Sequence, residues 1–326
     1  MAIGSGLGAS IGGKAETVYG TAVTVDRWLP GTSFFIKPEI ETTFVQGLAA
    51  GRLGPGIDQV ITGRKGVGQW QGQIPTTKFG LWFAQLMGTS PAPAQQAATA
   101  AYLQAFTVAD NFGRSFTAQA GVPLTSGTVV PYTGSGGKVT AIELSSDASG
   151  VLTGTMDWAF QNVVDSIGLA APSYTAYSVI NKLVVKSGTF GSEAAVDVRS
   201  ASVKLERVMD LDMMTGVPGA NREPLMTGEG FKVSGTLSPD FIAKADFADR
   251  FIAGSSSALV LDWTGSLIAS TYYNGVKVRV PKAVFRDAVP GVDGPEVVKG
   301  SVAFEGMLDT TNGLALLDYM STDTTQ

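Results

Sequence analysis

The quartet Ile36-Lys37-Pro38-Glu39 has a counterpart, Val203-Lys204-Leu205-Glu206, in the second half of the chain. Both quartets carry lysine and glutamate at the same places. Both precede, in the same order, a glycine-rich stretch, a strand-like segment, a proline and a helix-like segment. Each half then ends in a similar strand, Leu152–Trp158 or Val298–Phe304. A recurring order of elements is the sequence signature of duplication, so we predict two tandem copies of one fold.

The composition favours a mainly β protein. Of the 326 residues, 41 are glycine, and Gly, Ser, Thr and Val recur throughout, as is typical of strands joined by many turns. The length suits two domains of roughly 150 residues each. We place an N-terminal arm at residues 1–29, the first β domain at 30–165, a linker at 166–182 and the second β domain at 183–326. Only 16% of residues are charged, against roughly 25% in ordinary soluble domains, which indicates a surface largely covered by other copies.

Each half contains one predicted helix. The first helix ends at Gly88, and its apolar residues have helical spacing typical of a helix packed on a core. They are Phe79, Trp82, Phe83, Leu86 and Met87. The second helix is predicted to have Ser238 as its N-cap, Pro239 at its first position and Gly254 at its end. The pair Asn274-Gly275 predicts a tight hairpin turn.

The residues that the chain lacks exclude several classes of function. There are no cysteines and no histidines, which excludes thiol nucleophiles, zinc–thiolate sites and Ser-His-Asp catalysis. The formal charge of −5 argues against a surface that binds nucleic acid by its phosphates. We therefore expect no enzymatic activity, no metal and no cofactor. The sequence shows neither a signal peptide nor a membrane-spanning run, so we expect a soluble protein made in the cytoplasm.

Two glycine motifs near the N-terminus do not predict sites. The stretch Gly8–Lys14 is similar to a phosphate-binding loop, but Ala15 stands where a serine or threonine is needed. The pattern Gly8–Gly12 is that of a nucleophile elbow, which requires a histidine that the chain does not have. Farther along, Asp210 and Asp212 lie two apart on a strand-like stretch. They could hold a divalent ion or remain solvated surface carboxylates, and the sequence leaves both open.

The N-terminal block resembles the opening of a known family. It runs through Gly6–Ala9, then Glu16-Thr17-Val18-Tyr19-Gly20-Thr21-Ala22-Val23-Thr24, then Arg27–Pro30. This order of a glycine-rich arm, a Glu-Thr-x-Tyr-Gly-Thr stretch and a first strand resembles the major tail tube proteins of long, non-contractile-tailed bacteriophages. The resemblance implies a β-sandwich or barrel unit with a flanking helix. It also implies self-assembly into stacked rings that form the conduit for DNA ejection.

The same resemblance implies the partners and the location of the protein. The partners are other copies of the chain, the tape measure protein, the tail terminator and the distal tail proteins. DNA is present only in transit, the protein does not insert into membranes, and its location is the phage tail of the virion after synthesis in the host cytoplasm. The apparent duplication departs from a tail tube chain with a single fold. Three duplicated chains would supply six folds to a ring, and the rival arrangement has six chains.

Contacts between rings are predicted to come from glycine-rich segments that are long for a compact domain, since such segments are usually functional. These segments are the arm at residues 2–21 and the loops at residues 47–66 and 213–230. The candidate contact residues are Leu7, Ile11, Tyr19, Leu48, Arg52, Leu53, Ile57, Met214, Val217, Arg222 and Leu225. Two other functions stay open, a carbohydrate-binding or adhesive β-sandwich module and an enzyme that acts through carboxylates alone.

Overall fold

The computed structural model describes residues 5–45, 58–212, 222–240, 244–245, 247–289 and 300–326. The protein is mainly β, as predicted. The strands of the first half are β1 (Ser10–Ala15), β2 (Arg27–Trp28), β3 (Ser33–Val45), β4 (Asp58–Gln73), β5 (Ala94–Gln95), β6 (Tyr102–Thr107), β7 (Phe116–Pro123), β8 (Val129–Asp147), β9 (Thr153–Phe160) and β10 (Asn162–Val164). Those of the second half are β11 (Ile180–Thr189), β12 (Ser192–Val196), β13 (Val198–Met209), β14 (Met226–Pro239), β15 (Ser257–Ala269), β16 (Tyr272–Arg286), β17 (Val302–Gly306) and β18 (Leu316–Ser321). Helix α1 (Gly80–Met87) follows β4, and helix α2 (Ala248–Ile252) follows β14.

The two halves have the same strand order, and the pairings that define it are all antiparallel. Neighbouring strands in the first half run β1-β7-β8-β9-β4-β3. Neighbouring strands in the second half run β11-β15-β16-β17-β14-β13. The helix also occupies the same place in each half, after β4 or β14. Because strand order depends on long-range pairing, its repetition supports the duplication independently of residue identities.

The register of the ladders fixes which residues correspond. Ile36 pairs with Gly68, which pairs with Trp158. In the second half Val203 pairs with Gly235, which pairs with Phe304. A Cβ on either glycine would lie within 3.0 Å of the paired aromatic ring, so both positions require glycine for the same steric reason.

A register shift interrupts both hairpins a few residues beyond these positions. It lies between Glu41 and Thr42 in the first half and between Arg207 and Met209 in the second. Ile40 therefore corresponds to Arg207, and Thr42 corresponds to Met209. The two interruptions differ in size, since the first skips only Thr62 and the second skips Val208 and residues 227–230.

The halves are joined by hydrogen-bonded strands. Ser200–Glu206 of β13 pairs with Ala141–Asp147 of β8, and β18 pairs with β6. The buried apolar residues form one cluster that includes side chains of both halves, such as Trp82 and Trp263. The predicted linker falls between β10 and β11, although β11 begins at Ile180. Independent folding of the two predicted domains stays a prediction.

The predicted N-terminal arm is in large part a component of the sheet, which corrects its description as an extended segment. Strand β1 pairs with β2 and β7, and Trp28 and Leu29 are buried. Glycine makes this packing possible, because a Cβ on Gly13 would lie 2.5 Å from the ring of Trp82. The glycine run that resembled a phosphate-binding loop is thus a strand that packs closely on α1.

Three local predictions are wrong because long-range pairing prevailed over local signals. Ser238 and Pro239 do not begin a helix, since β14 continues through them and pairs with β13. The segments predicted as long loops belong in part to strands, since β4 begins at Asp58 and β14 at Met226. Asn274-Gly275 lies inside β16, and the turn falls at Ser270, whose φ is 54°.

Candidate assembly surfaces

Two long hairpins are the most prominent surface features. We call β3 and β4 the first ribbon and β13 and β14 the second ribbon. Alternate residues of a strand share a face, and residues paired directly across a ribbon share it too. In each ribbon, one face begins in the core, at Ile36 or Val203, and continues outward toward the hairpin tip. The two ribbons differ in what covers that face.

The second ribbon packs on the end of helix α1. The guanidinium of Arg207 donates to the carbonyl oxygen of Leu86 from Nε at 2.8 Å and from a terminal nitrogen at 2.6 Å. It also donates to the carbonyl oxygen of Ala109 at 2.8 Å. The last carbonyl groups of a helix have no partner within the helix, and a cation there also interacts favourably with the helix dipole. Arg207 thus caps a helix of the other half of the chain.

Burial of Arg207 is nearly complete, with 2% of the residue exposed. Burial lowers its pKa to about 10, and the nearby charge of Asp110 acts in the opposite direction. Its guanidinium lies 5.5 Å from the ring centroid of Phe231, within the range of a cation–π contact. The side chain is therefore held by carbonyl groups and an aromatic ring rather than by a carboxylate.

A buried ion pair holds the segment just before β14, at the loop end of the second ribbon. The fully buried ammonium of Lys138 on β8 contacts the carboxylate of Glu223 and donates to the carbonyl oxygens of Asn111 and Arg114, at 2.8 and 2.5 Å. Burial lowers the pKa of Lys138, and the hydrogen bond to Glu223 opposes that shift. Glu223 also accepts from the backbone N–H of Gly113 at 2.7 Å. Because removal of either charge would leave the other buried, the pair locks the loop end of the second ribbon to the first half.

The Glu-Thr-x-Tyr-Gly-Thr stretch is a structural clamp. The buried carboxylate of Glu16 accepts from the hydroxyls of Ser115 and Thr117 at 2.6 and 2.8 Å, and from the backbone N–H groups of Gly20 and Gly136 at 3.0 and 2.9 Å. Three of these bonds connect the arm to β7 and β8 and to the residue that precedes β7. These hydrogen bonds give the glutamate of the motif a structural role that needs no bound ligand.

Tyr19 of the same motif lies between the arm and the second ribbon. Its hydroxyl donates to the carbonyl oxygen of Arg222 at 3.4 Å, and the Lys138 ammonium lies 5.8 Å from its ring centroid. Burial and the neighbouring carboxylates of Glu223 and Glu16 raise its pKa above the ordinary value. The arm and the loop end of the second ribbon, both predicted as contact segments, are therefore adjacent.

The first ribbon leaves the corresponding face open. Beyond Ile36, which is 5% exposed, the face continues through Ile40, Ile61 and Phe44, which are 49%, 46% and 62% exposed. The opposite face carries Glu39 and Glu41 around Lys65, at 3.9 and 3.3 Å. The ribbon thus has one side with these three charges and one side with exposed apolar residues, on which the exposed Arg64 lies directly across from Ile40.

The end of α2 is exposed where the end of α1 is buried. Leu86 and Met87 of α1 have no exposed surface, whereas Phe251 and Ile252 of α2 are 37% and 64% exposed. The backbone continues into a left-handed turn at Gly254, whose φ is 62°. The second half therefore presents an apolar helix end that the described part of its own chain covers only in part.

The predicted contact residues have mixed positions. Leu7, Arg222 and Leu225 lie at the surface, and Tyr19 is partly buried beside Arg222. Ile11 is fully buried in β1, so its side chain does not face a neighbour and we withdraw it. The remaining candidates lie outside the described residues: Leu48, Arg52, Leu53, Ile57, Met214 and Val217.

The sequence prediction missed Ile40, Phe44, Ile61 and Ile252. For the first ribbon, the spacing of Ile36, Ile40 and Phe44 at even intervals was a usable signal, but the segment after Gly47 was interpreted as a loop. Asp210 pairs with Arg222 and also accepts from the backbone N–H of residue 212, so its carboxylate has partners within the chain. In the described ranges, no group of three or more acidic residues is placed to hold a metal ion.

The fold and its surfaces define a mainly β structural protein built from two copies of one antiparallel unit. A family model described as phage tail tube protein matches residues 6–306. The chain belongs to this family of structural phage tail proteins. A search of curated proteins finds no match. None of the helices in the described ranges is long and apolar enough to cross a membrane.

Proposed function

We propose that this chain is the subunit of a phage tail tube, assembles into stacked rings and forms the conduit through which DNA leaves the virion. Family membership supports the structural role, and the low fraction of charged residues suits a subunit with extensive self-contact. The net charge of −5 suits a channel through which polyanionic DNA slides without adhering. The protein would be made in the host cytoplasm and incorporated into the tail.

The observation that carries the ring proposal is the junction between β13 and β8. The first strand of the second ribbon continues the sheet of the first unit within one chain. The equivalent strand β3 pairs only with β4 in the part of the chain that the structure describes. An open strand edge is a template for pairing with another chain. We infer that β3 of one copy continues the sheet of the second unit of the next copy.

The register locates the receiving strand. Trp158 and Phe304 are equivalent, because they pair with the matched glycines. Val139 pairs with Trp158 and Phe285 pairs with Phe304, so Val139 and Phe285 are equivalent too. Strand β13 lies beside Ala141 and the residues that follow it. The equivalent place in the second unit begins at Asp287, just after β16. Repetition of this junction closes a ring in which three chains supply six units.

The other partners follow from the position of such a tube in the tail. The terminal rings would contact the tail terminator and the distal tail proteins, and the lumen would hold the tape measure protein before DNA passes. Contacts between stacked rings would come from the exposed Leu7 on the arm and from Arg222 and Leu225 at the second ribbon. Tyr19 holds these two segments side by side.

Electron microscopy and mass measurement of the purified protein test the proposal. Hollow filaments are expected, and mass per unit length multiplied by ring spacing should correspond to three chains of 33.8 kDa per ring. Six chains per ring would overturn the stoichiometry but not the tube. A protein that forms no filaments at high concentration and binds immobilised glycans instead would support the adhesive alternative.

A further inference from the structure

We propose that the apolar face of the first ribbon packs on the exposed end of α2 in a neighbouring copy of the chain. This inference rests on the proposed ring assembly and names its side-chain contact. Both surfaces carry exposed apolar side chains, with Arg64 beside Ile40 on the ribbon, and the chain already contains a contact of the same geometry. That internal contact is the packing of the second ribbon on the end of α1.

The internal contact serves as a template because the correspondences are fixed by register. Arg207 of the second ribbon covers Leu86, the penultimate residue of α1. Its equivalent on the first ribbon is Ile40. Met226, whose sulfur lies 3.0 Å from the Arg207 guanidinium, pairs with Met209, as Ile61 pairs with Thr42. By its cross-strand partner Ile61 takes the place of Met226, although it lies as far along β4 from Gly68 as Gly228 lies along β14 from Gly235.

The template predicts where the first ribbon goes. If β3 joins the second unit of a neighbour as β13 joins the first unit, the first ribbon is carried over α2. Ile40 and Ile61 then lie over the last turn of α2, formed by Phe251 and Ile252. A single contact between two chains thus covers both exposed surfaces. No contact within the described part of one chain covers them both.

The chemistry of the two contacts differs in a consistent way. Within the chain, a cation bonds to the carbonyl groups at the end of a fully buried helix. Between chains, Ile40 replaces the arginine, Arg64 takes the place of Phe231, and the helix end presents Ile252, which is 64% exposed. Burial of apolar side chains against each other favours association without demanding precise hydrogen-bond geometry. The charged side of the ribbon, with Glu39, Glu41 and Lys65, would remain in water.

Crosslinking between introduced cysteines tests the contact directly. The chain has no cysteine, so Ile40→Cys and Ile252→Cys create unique attachment points for a short bis-maleimide crosslinker. A mixture of the two single variants, assembled and treated, is expected to give a crosslinked dimer. The double variant is expected to give a covalent ladder that ends at the number of chains in a ring. The matched control pairs Ile40→Cys with Leu308→Cys, whose leucine is 67% exposed and lies outside both surfaces, and it should give no dimer.

Charge substitution supplies a second and independent readout. Ile40→Asp and Ile252→Asp should each reduce tube yield by at least about tenfold, because a carboxylate buried without a partner is strongly unfavourable. Both residues are exposed in the single chain, so its thermal unfolding should be unchanged. When the two variants are mixed, the intact first ribbon of the Ile252→Asp chain still fits the intact α2 of the Ile40→Asp chain. A one-to-one dimer that grows no further is therefore expected.

The outcomes separate this inference from the proposed function. If the unmodified protein forms tubes, but the crosslink is absent and Ile40→Asp assembles normally, the ribbon contact is wrong and the tube stands. If the unmodified protein never forms tubes, the proposed function fails first. A crosslink at the control position as strong as that at Ile252 would also overturn the contact.

Discussion

The guanidinium of Arg207, in the second half of the chain, donates two hydrogen bonds to the carbonyl oxygen of Leu86, in the first half. This contact joins the two copies of the duplicated fold. It also caps α1 with a residue 121 positions away in sequence. At the equivalent place on the first ribbon the chain has Ile40, and the equivalent helix end is exposed. The second ribbon thus covers the end of α1 within the chain, whereas the equivalent surfaces on the first ribbon and α2 are exposed.

Removal of Arg207 should destabilise the folded subunit. Arg207→Ala leaves the carbonyl oxygens of Leu86 and Ala109 without this donor, and we expect the free energy of unfolding to fall by about 3 kcal/mol. Urea unfolding of the purified subunit measures it. The control is Arg286→Ala, since the exposed pair of Arg286 with Glu305 should be worth less than about 1 kcal/mol. Equal effects of the two variants would contradict the capping role.

The Lys138–Glu223 pair should show strong coupling. Lys138→Met leaves the carboxylate of Glu223 without its cation, and we expect a loss of about 3 kcal/mol in unfolding free energy. In the double variant Lys138→Met/Glu223→Gln the unpaired charge is gone, so part of that loss should be recovered. A double-mutant cycle measured by urea unfolding gives the coupling. Strictly additive losses would show that the two side chains act independently.

The matched glycines should resist substitution for the same reason. A Cβ at position 235 would lie 2.1 Å from the carbonyl oxygen of Ser202 and 2.6 Å from the ring of Phe304. Overpacking of this kind costs about 1–3 kcal/mol, and Gly235→Ala should lower the thermal unfolding midpoint accordingly. Gly228 lies in the same strand, and a Cβ added there would have no neighbouring atom within 4 Å. Gly228→Ala is therefore the control and should have little effect.

Tyr319 should make stability depend on alkaline pH. Burial is the main cause that raises the pKa of Tyr319 well above its ordinary value of 10.0. The unfolded chain therefore loses this proton at a lower pH than the folded chain does. The stabilisation is fully present below pH 10 and is lost as pH rises further.

Tyr319→Phe should flatten this alkaline decline in unfolding free energy. At neutral pH it should cost about 1 kcal/mol, because it removes the hydroxyl's bond to the carbonyl oxygen of Pro75. Urea unfolding at a series of pH values from about 8 upward measures both effects. The control Tyr273→Phe, at a side chain that is 46% exposed, should leave the slope as it is. An unchanged slope for Tyr319→Phe would contradict the assignment.

Some features of the candidate assembly surfaces could be predicted from the sequence, and others could not. The apolar stripe of α1 predicted a core helix, and all of its residues are buried. Arg207 carried no signal of its role, because its partners Leu86 and Ala109 are remote in sequence. The exposed apolar residues of the first ribbon were missed because glycines after position 47 favoured a loop over a strand.

The sequence by itself determined the mainly β class, the duplication, helix α1 and the resemblance to tail tube proteins, because these depend on composition and on patterns within short segments. Only the tertiary structure decided that β1 is a sheet strand, that Ser238 and Pro239 stay extended, and that β13 extends the sheet of the first half, whereas β3 pairs with no second strand among the described residues. Those outcomes depend on which distant strands pair, and pairing is set by the sum of many cross-strand contacts rather than by any local signal. The same pairing places Arg207 on the buried end of α1, because β13 is paired with β8. Ile40 lies on an exposed face of β3, which is paired with β4.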